Sequence, residues 1–328
     1  MLRYIARRLA LGVLTMWAIS VLSFVIIQLP PGDFVTTYIA RLSESGGSAA
    51  LGEVAQLRAQ YGLDQPIYVQ YLKWMGQVVH GNLGMSLDWN RPVSELLGER
   101  LALTMVVSAA AIIFTWAIAL PIGIYSALRK YSIGDYVLTF LGFLGLGIPS
   151  FLLALVLMYV GFQFFGVSVG GLFSPGLETA SWSMTKVVDL LKHLIIPAIV
   201  LGLAGTAHLI RIMRANLLDE LGKPYVVTAR AKGLTERRAV MKYPVRVALN
   251  PFASSIGFLF PQVVSGTIIV SVVLSLPTVG PLLLTSLQAQ DMFLAGSIVL
   301  LLGALTIVGT LISDLTLVWL DPRIRLAG

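Results

Sequence analysis

Few side chains in this sequence are placed to react with one another. The three histidines, His80, His193 and His208, are scattered, none is read as having a carboxylate or second His at helical ligand spacing, and each reads as a structural or interfacial residue rather than a ligand or base. No G-x-x-x-x-G-K-[ST] is present, so the chain does not itself cradle nucleotide phosphates. H-E-x-x-H and G-x-S-x-G are absent as well, which removes the zinc-protease and serine-hydrolase patterns. With no cysteine, a thiolate nucleophile, a disulfide and a cysteine metal site are excluded. The residue types therefore predict no catalytic group, no metal site and no cofactor bound by this chain. Asp314 stands apart as an acidic residue inside an apolar run. In an ion-coupled transporter such a residue is a proton or gating site; otherwise it is a polar contact near the interface.

One segment, 214–250, has spacing that suits recognition. Pro224 can open a helix at its first turn. Tyr225, Val226, Thr228, Ala229, Arg230, Ala231 and Lys232 continue a helical run, and Gly233 can end it in the left-handed conformation. Thr235 can cap a second helical stretch over 235–243. The expectation is a short helix lying across one membrane face. It would present Tyr225 and Ala229 to a partner's groove with Arg230 and Lys232 at the rim.

Such a loop has to be held by the elements around it. Hydrophobic residues make up 57% of the 328 and charged ones 12%, about half the share of a soluble domain. A chain this apolar takes lipid as its solvent. Six runs are long enough to cross about 30 Å of hydrocarbon: 9–29, 101–128, 136–164, 194–213, 251–276 and 293–320. Pro121, Pro149, Pro197 and Pro261 fall inside four of them and mark kinks. The first run follows a basic start and has no small-residue cleavage site before Pro30, so it reads as a retained helix. Lys and Arg cluster at Arg3, Arg7 and Arg8, at Arg129 and Lys130, throughout 211–246, and at Arg323 and Arg325. These share one side, which the positive-inside rule makes cytoplasmic, with both termini. The net charge of +7 does not point to nucleic acid, because the cations lie between apolar runs without interleaved aromatics. The expected organisation is a tail and first helix over 1–30, a small folded cap over 31–100, and a core of five spans over 101–320. That core holds the loop 214–250, and 321–328 forms a tail. Residues 165–192 read as a second outer loop.

The run from Tyr225 to Leu234 closely resembles the cytoplasmic signature of ABC-importer permeases of the dipeptide/oligopeptide/nickel branch. The resemblance extends over essentially the whole chain and in order: Arg7-Arg8-Leu9, Pro31-Gly32-Asp33, Tyr61 to Pro66, Gln70-Tyr71-Leu72, Gly81 to Ser86, and Asp321 to Arg325. Of the wider EAA-x3-G pattern only Ala229 and Gly233 match. Tyr243 stands where a His is common and Ser271 where Glu is. Val279 lies near a place where Gly is common. The resemblance implies an all-α membrane protein with six transmembrane helices and the type I importer fold, in a bacterial inner membrane. It also implies a second, homologous permease, two ATPases that bind ATP and Mg, and a periplasmic or lipid-anchored binding protein. The segment 225–233 would sit in an ATPase groove, ATP binding favouring an outward-facing state. Gln262, Ser265, Thr267, Ser271 and Ser275 are candidates to line the translocation path. Oligopeptides are the expected cargo, with oligosaccharides or opines as the alternative and an Asp314-dependent secondary transporter more distant.

Overall fold

The computed structural model describes residues 2–32, 34–44, 58–59, 62–166, 169–250, 252 and 268–320. Among these it contains helices and no strand. The named helices are α1 (Leu2–Gln28), α2 (Phe34–Glu44), α3 (Ile67–Val79), α4 (Val93–Leu128), α5 (Ile133–Gly147), α6 (Ser150–Phe165) and α7 (Met184–His193). They continue with α8 (Ile195–Leu221), α9 (Pro224–Ala231), α10 (Glu236–Lys242), α11 (Pro244–Ala248), α12 (Val279–Gln288) and α13 (Met292–Leu320). Stretches of α1, α4, α8 and α13 are each long and apolar enough to cross a membrane alone.

The expected span 136–164 is not one straight helix. It is the pair α5 and α6, whose axes differ by 100°. Ile148, the residue before a proline, takes extended backbone at φ −93° and ψ 121°, as steric contact with the proline ring requires. Pro149 then cannot extend α5 and instead precedes α6. Elsewhere proline is milder. Helix α4 continues unbroken across Pro121. Pro197 lies in the first turn of α8, where its missing N–H coincides with a one-residue break at Leu194. Most of the expected span 251–276, with Pro261, lies outside the described residues, as does the segment 321–328.

The chain divides into two compact units. The first comprises Met1–Thr104 and Pro277–Ile307. Here α1, α3 and α13 meet at an aromatic cluster: Phe24 stacks on Trp74 at 5.9 Å and meets Tyr71 edge-on at 5.3 Å. Ser20 Oγ and Tyr71 Oη share a hydrogen bond of 2.9 Å. Helix α13 comes close because Gly296 has no side chain; a Cβ there would lie 2.7 Å from Trp74 Cζ2.

The second unit, Met105–Leu276 and Val308–Gly328, is built around α8. Ala119, Ala127, Leu209, Ile210, Met213, Leu217, Val240, Val245, Ala248 and Phe252 form its core. Small residues allow the helices to approach, as in other membrane bundles. An added Cβ on Gly123 of α4 would sit 2.6 Å from Met213, and one on Gly145 of α5 would sit 2.8 Å from Leu203. Thr115 Oγ1 lies 2.9 Å from the carbonyl of Gly202 and 2.9 Å from its own helix at Ala111. The short helices of the basic loop fold back on this core, since Val240, Val245 and Ala248 belong to it.

Candidate functional site

The basic loop begins where α8 ends at Gly222. Lys223 is extended and Pro224 occupies the first position of α9, where a missing N–H costs nothing. The helix ends in a Schellman motif. Gly233 N–H donates to the Arg230 carbonyl at 2.9 Å and Leu234 N–H to the Ala229 carbonyl at 3.3 Å, with Gly233 at φ +81°. The left-handed glycine expected from the sequence is therefore present, and it turns the chain abruptly into α10. An ion pair fixes that turn: Arg230 Nε and Nη donate to both oxygens of Glu236, at 2.9 and 2.6 Å. Hydrogen bonding between the two raises the guanidinium pKa and lowers that of the carboxylate.

The faces of α9 differ from expectation. Val226 and Ala229 are buried within the folded chain, so Ala229 is not presented outward. The outward face carries Tyr225, Val227, Thr228, Ala231 and Lys232. Tyr225 donates its hydroxyl to the Glu220 carboxylate, and burial together with that bond pushes the phenol pKa up. Arg230 is exposed but is spoken for by Glu236. Beside this helix, Leu234, Arg238, Met241, Lys242 and Tyr243 line an open cleft of about 670 Å³. Apolar tips and cations line this cleft side by side.

The other sequence candidates are dispersed. Gln262, Ser265 and Thr267 lie outside the described residues. Ser271 is fully buried in a helical stretch at 268–273. Ser275 is exposed and ends that stretch at φ +52°. Asp314 is half-buried in α13. His80 is exposed at the end of α3, its Nδ1 2.7 Å from the Gly76 carbonyl, and His208 is exposed on α8. His193, contrary to the sequence reading, does have a carboxylate one turn away: its Nδ1 is 3.5 Å from Asp189 Oδ1. Among the described residues no three His, Cys, Asp or Glu side chains cluster as a metal site.

Comparison with known proteins agrees with this architecture. Residues 119–326 match the family described as the inner membrane component of binding-protein-dependent transport systems, and residues 1–108 match its N-terminal region. This chain belongs to that family. A putative peptide permease protein of Brucella ovis is 38% identical over 326 residues, covering 99% of each chain. The oligopeptide transport system permease protein AppB of Bacillus subtilis is 36% identical over 327 residues, covering 99% of this chain and 100% of its own. The dipeptide transport system permease protein DppB of Escherichia coli is 33% identical over 341 residues, covering 99% of both. As a family member, the chain is a multi-pass inner-membrane permease with the type I fold. ATP hydrolysis belongs to separate ATPase subunits.

Two carboxylates of this permease escaped the sequence reading. Asp135, in the first turn of α5, accepts from Arg214 of α8, with Nε 3.2 Å and Nη 2.9 Å from its two oxygens. It also accepts from the Tyr131 N–H, and its own N–H donates to Ser132 Oγ at 3.2 Å. Ser132-x-x-Asp135 is a helix-start signature, and that much was visible in the sequence. The partner 79 residues away was not. Asp291 immediately precedes α13, accepts from Leu294 N–H at 3.1 Å as a helix cap, and accepts from Ser86 Oγ at 2.5 Å and Asp88 N–H at 3.2 Å. It thus ties the Gly81 to Ser86 motif to the start of the last helix. Burial raises its pKa against these hydrogen bonds. An Asp directly before a long apolar run was its sequence signal.

Proposed function

We propose that this chain forms half of the translocation path of an ATP-driven importer of oligopeptides, and that α9 is the surface through which a cytoplasmic ATPase drives it. The observation that carries this reading is the construction of α9. Its inner face is packed, its C-terminus is locked at Gly233, and it is joined through Arg230–Glu236 to α10. A push on its outer face therefore reaches α8 without being absorbed by a soft loop. One element biased by a partner's nucleotide state suffices for such a machine. The basic loop and both termini are then cytoplasmic, by the distribution of Lys and Arg. The remaining subunits are a homologous permease, two ATPases that hold ATP and Mg, and a substrate-binding protein. This chain binds no cofactor itself.

Peptide cargo is supported by the names of the relatives, which are peptide, oligopeptide and dipeptide permeases. The test is reconstitution of the whole transporter with its binding protein in liposomes. Short peptides are expected to stimulate ATP hydrolysis and to accumulate inside, and a cysteine at Thr228 is expected to cross-link to the ATPase. Stimulation by oligosaccharides or opines in place of peptides would overturn the cargo assignment alone. Absence of the cross-link in an actively transporting complex would overturn the role of α9.

A further inference from the structure

Helix α7 is amphipathic in the inverted sense. Lys186 and Asp189 turn toward the protein, while Lys192 is exposed at the edge of the outer face. Lys186 is buried, donating to the carbonyls of Glu178 at 2.9 Å and Ala180 at 2.6 Å. Its ammonium also stands 4.9 Å from the Phe173 ring and 5.2 Å from the Trp182 ring. Asp189, from the same inner side, accepts from Ser174 through both its N–H at 2.7 Å and its hydroxyl at 2.6 Å. The segment 173–183 is thus laced onto the inner face of α7 by polar contacts.

The outer face is apolar and bare. Met184, Val187, Val188, Leu191 and Ile195 recur at i, i+3, i+4, i+7 and i+11, forming one stripe, and Met184 and Leu191 are 78% and 59% exposed. Trp182, also exposed, adjoins it. Only Leu194 separates α7 from α8, so the stripe continues directly into a membrane span, at the end opposite the basic loop. Thr185 and Lys192 edge the stripe, where a cleft of about 370 Å³ combines apolar Leu177, Met184 and Val188 with polar Thr185, Asp189 and Lys192. An apolar floor with a cation at its rim matches the boundary between acyl chains and phosphate headgroups.

We propose that α7 is a membrane-interface anchor, its Met184–Val187–Val188–Leu191–Ile195 stripe embedded in lipid at the headgroup–acyl boundary. Surface-lying helices of this kind sit about 5–10 Å into that boundary, and tryptophan favours the same depth. The occupant is lipid because the stripe is a direct continuation of the surface of a span. The second outer loop read from sequence over 165–192 thereby gains a membrane-bound half.

The chain has no cysteine, which makes the test direct. Single cysteines at Val187, Val188 and Leu191, and at Thr185 and Lys192, would each carry a nitroxide in the complete transporter. The host vesicles would contain phosphatidylethanolamine and phosphatidylglycerol. Power saturation with oxygen and with a water-soluble nickel chelate then reports the environment, and retained uptake checks each variant. The expected result is an oxygen-to-nickel accessibility ratio several-fold higher at the three stripe positions than at Thr185 and Lys192. Nickel access at all five positions would overturn the proposal, since the stripe would then lie in water. Low accessibility to both reagents along the stripe would also overturn it, because a protein partner would be covering the face.

Discussion

Removing Arg214 should destabilise the permease more than neutralising Asp135, although the two residues share one ion pair. The Asp135 side chain is 4% exposed and the Arg214 side chain 29%. Arg214→Met strands a nearly buried carboxylate, leaving it the Tyr131 N–H, the nearby Ser126 hydroxyl and a long contact to Thr139 Oγ1 at 3.4 Å. Breaking a buried pair in this way costs about 3–5 kcal/mol. Asp135→Asn strands a guanidinium that water does reach, so the loss falls to that of charge-assisted hydrogen bonds, about 1.5–3 kcal/mol. The double variant removes both charges and should lose less than the sum, with a coupling of about 0.5–3 kcal/mol. Equilibrium unfolding of the four proteins in mixed micelles, followed by tryptophan fluorescence, measures all three quantities. If Asp135→Asn proves as damaging as Arg214→Met, or the double variant is additive, the argument from solvent access is wrong.

Gly233→Val has open space around the new side chain but must hold φ +81°, a strain of about 1–2 kcal/mol that a β-branched residue feels most. It should lower peptide-stimulated ATP hydrolysis and uptake together, with Gly233→Asn closer to wild type; a fully active valine variant would remove the need for the cap. Gly296→Ala forces a methyl against buried Trp74, an overpacking of about 1–3 kcal/mol, and Trp74→Leu in the same chain should restore part of the lost thermal stability. The raised pKa of Asp291 means that the native state holds a proton which the unfolded state has released, in the window from 3.8 up to its native value. Stability of the first unit should therefore fall as pH rises through that window, and Asp291→Asn should flatten the slope in pH-dependent unfolding.

Local chemistry was legible in the sequence and long-range partnership was not. Pro224 and Gly233 bracket α9 as their backbone preferences demand, because a helix start and a left-handed stop are properties of single residues. Ala229 was recognised as important but its direction was misread. A small residue suits a groove in a partner and a groove in its own chain equally well, and the burial of Ala229 within the folded chain decided the matter. Pro149 announced a bend, yet the 100° angle depends on what packs around it. Asp135 and Arg214 each had a sufficient local explanation, as a helix start and as a positive charge, so nothing in the sequence pointed from one to the other. Asp291 was hidden in the same way behind the apolar run it precedes.

The close contacts along α8 also give it unequal lever arms. Gly202 lies against Phe114, Ala111 and Thr115 of α4, where an added Cβ would come within 2.6 Å, as close as one on Gly123 would come to Met213. With Gly202 as fulcrum, one arm runs about 11 Å back to Ile195 and the other about 29 Å on to Leu221, at about 1.5 Å per residue. A shift imposed beside α9 would arrive at the α7 end reduced to about two-fifths and reversed in direction. Pulsed electron resonance between nitroxides at each end and a reference on α4 reads that ratio, and equal displacements in one direction would replace the rocker with a sliding rod. A rocker of this proportion exchanges travel for force: a long, weak stroke at the Leu221 end becomes a short, firm one at the Ile195 end.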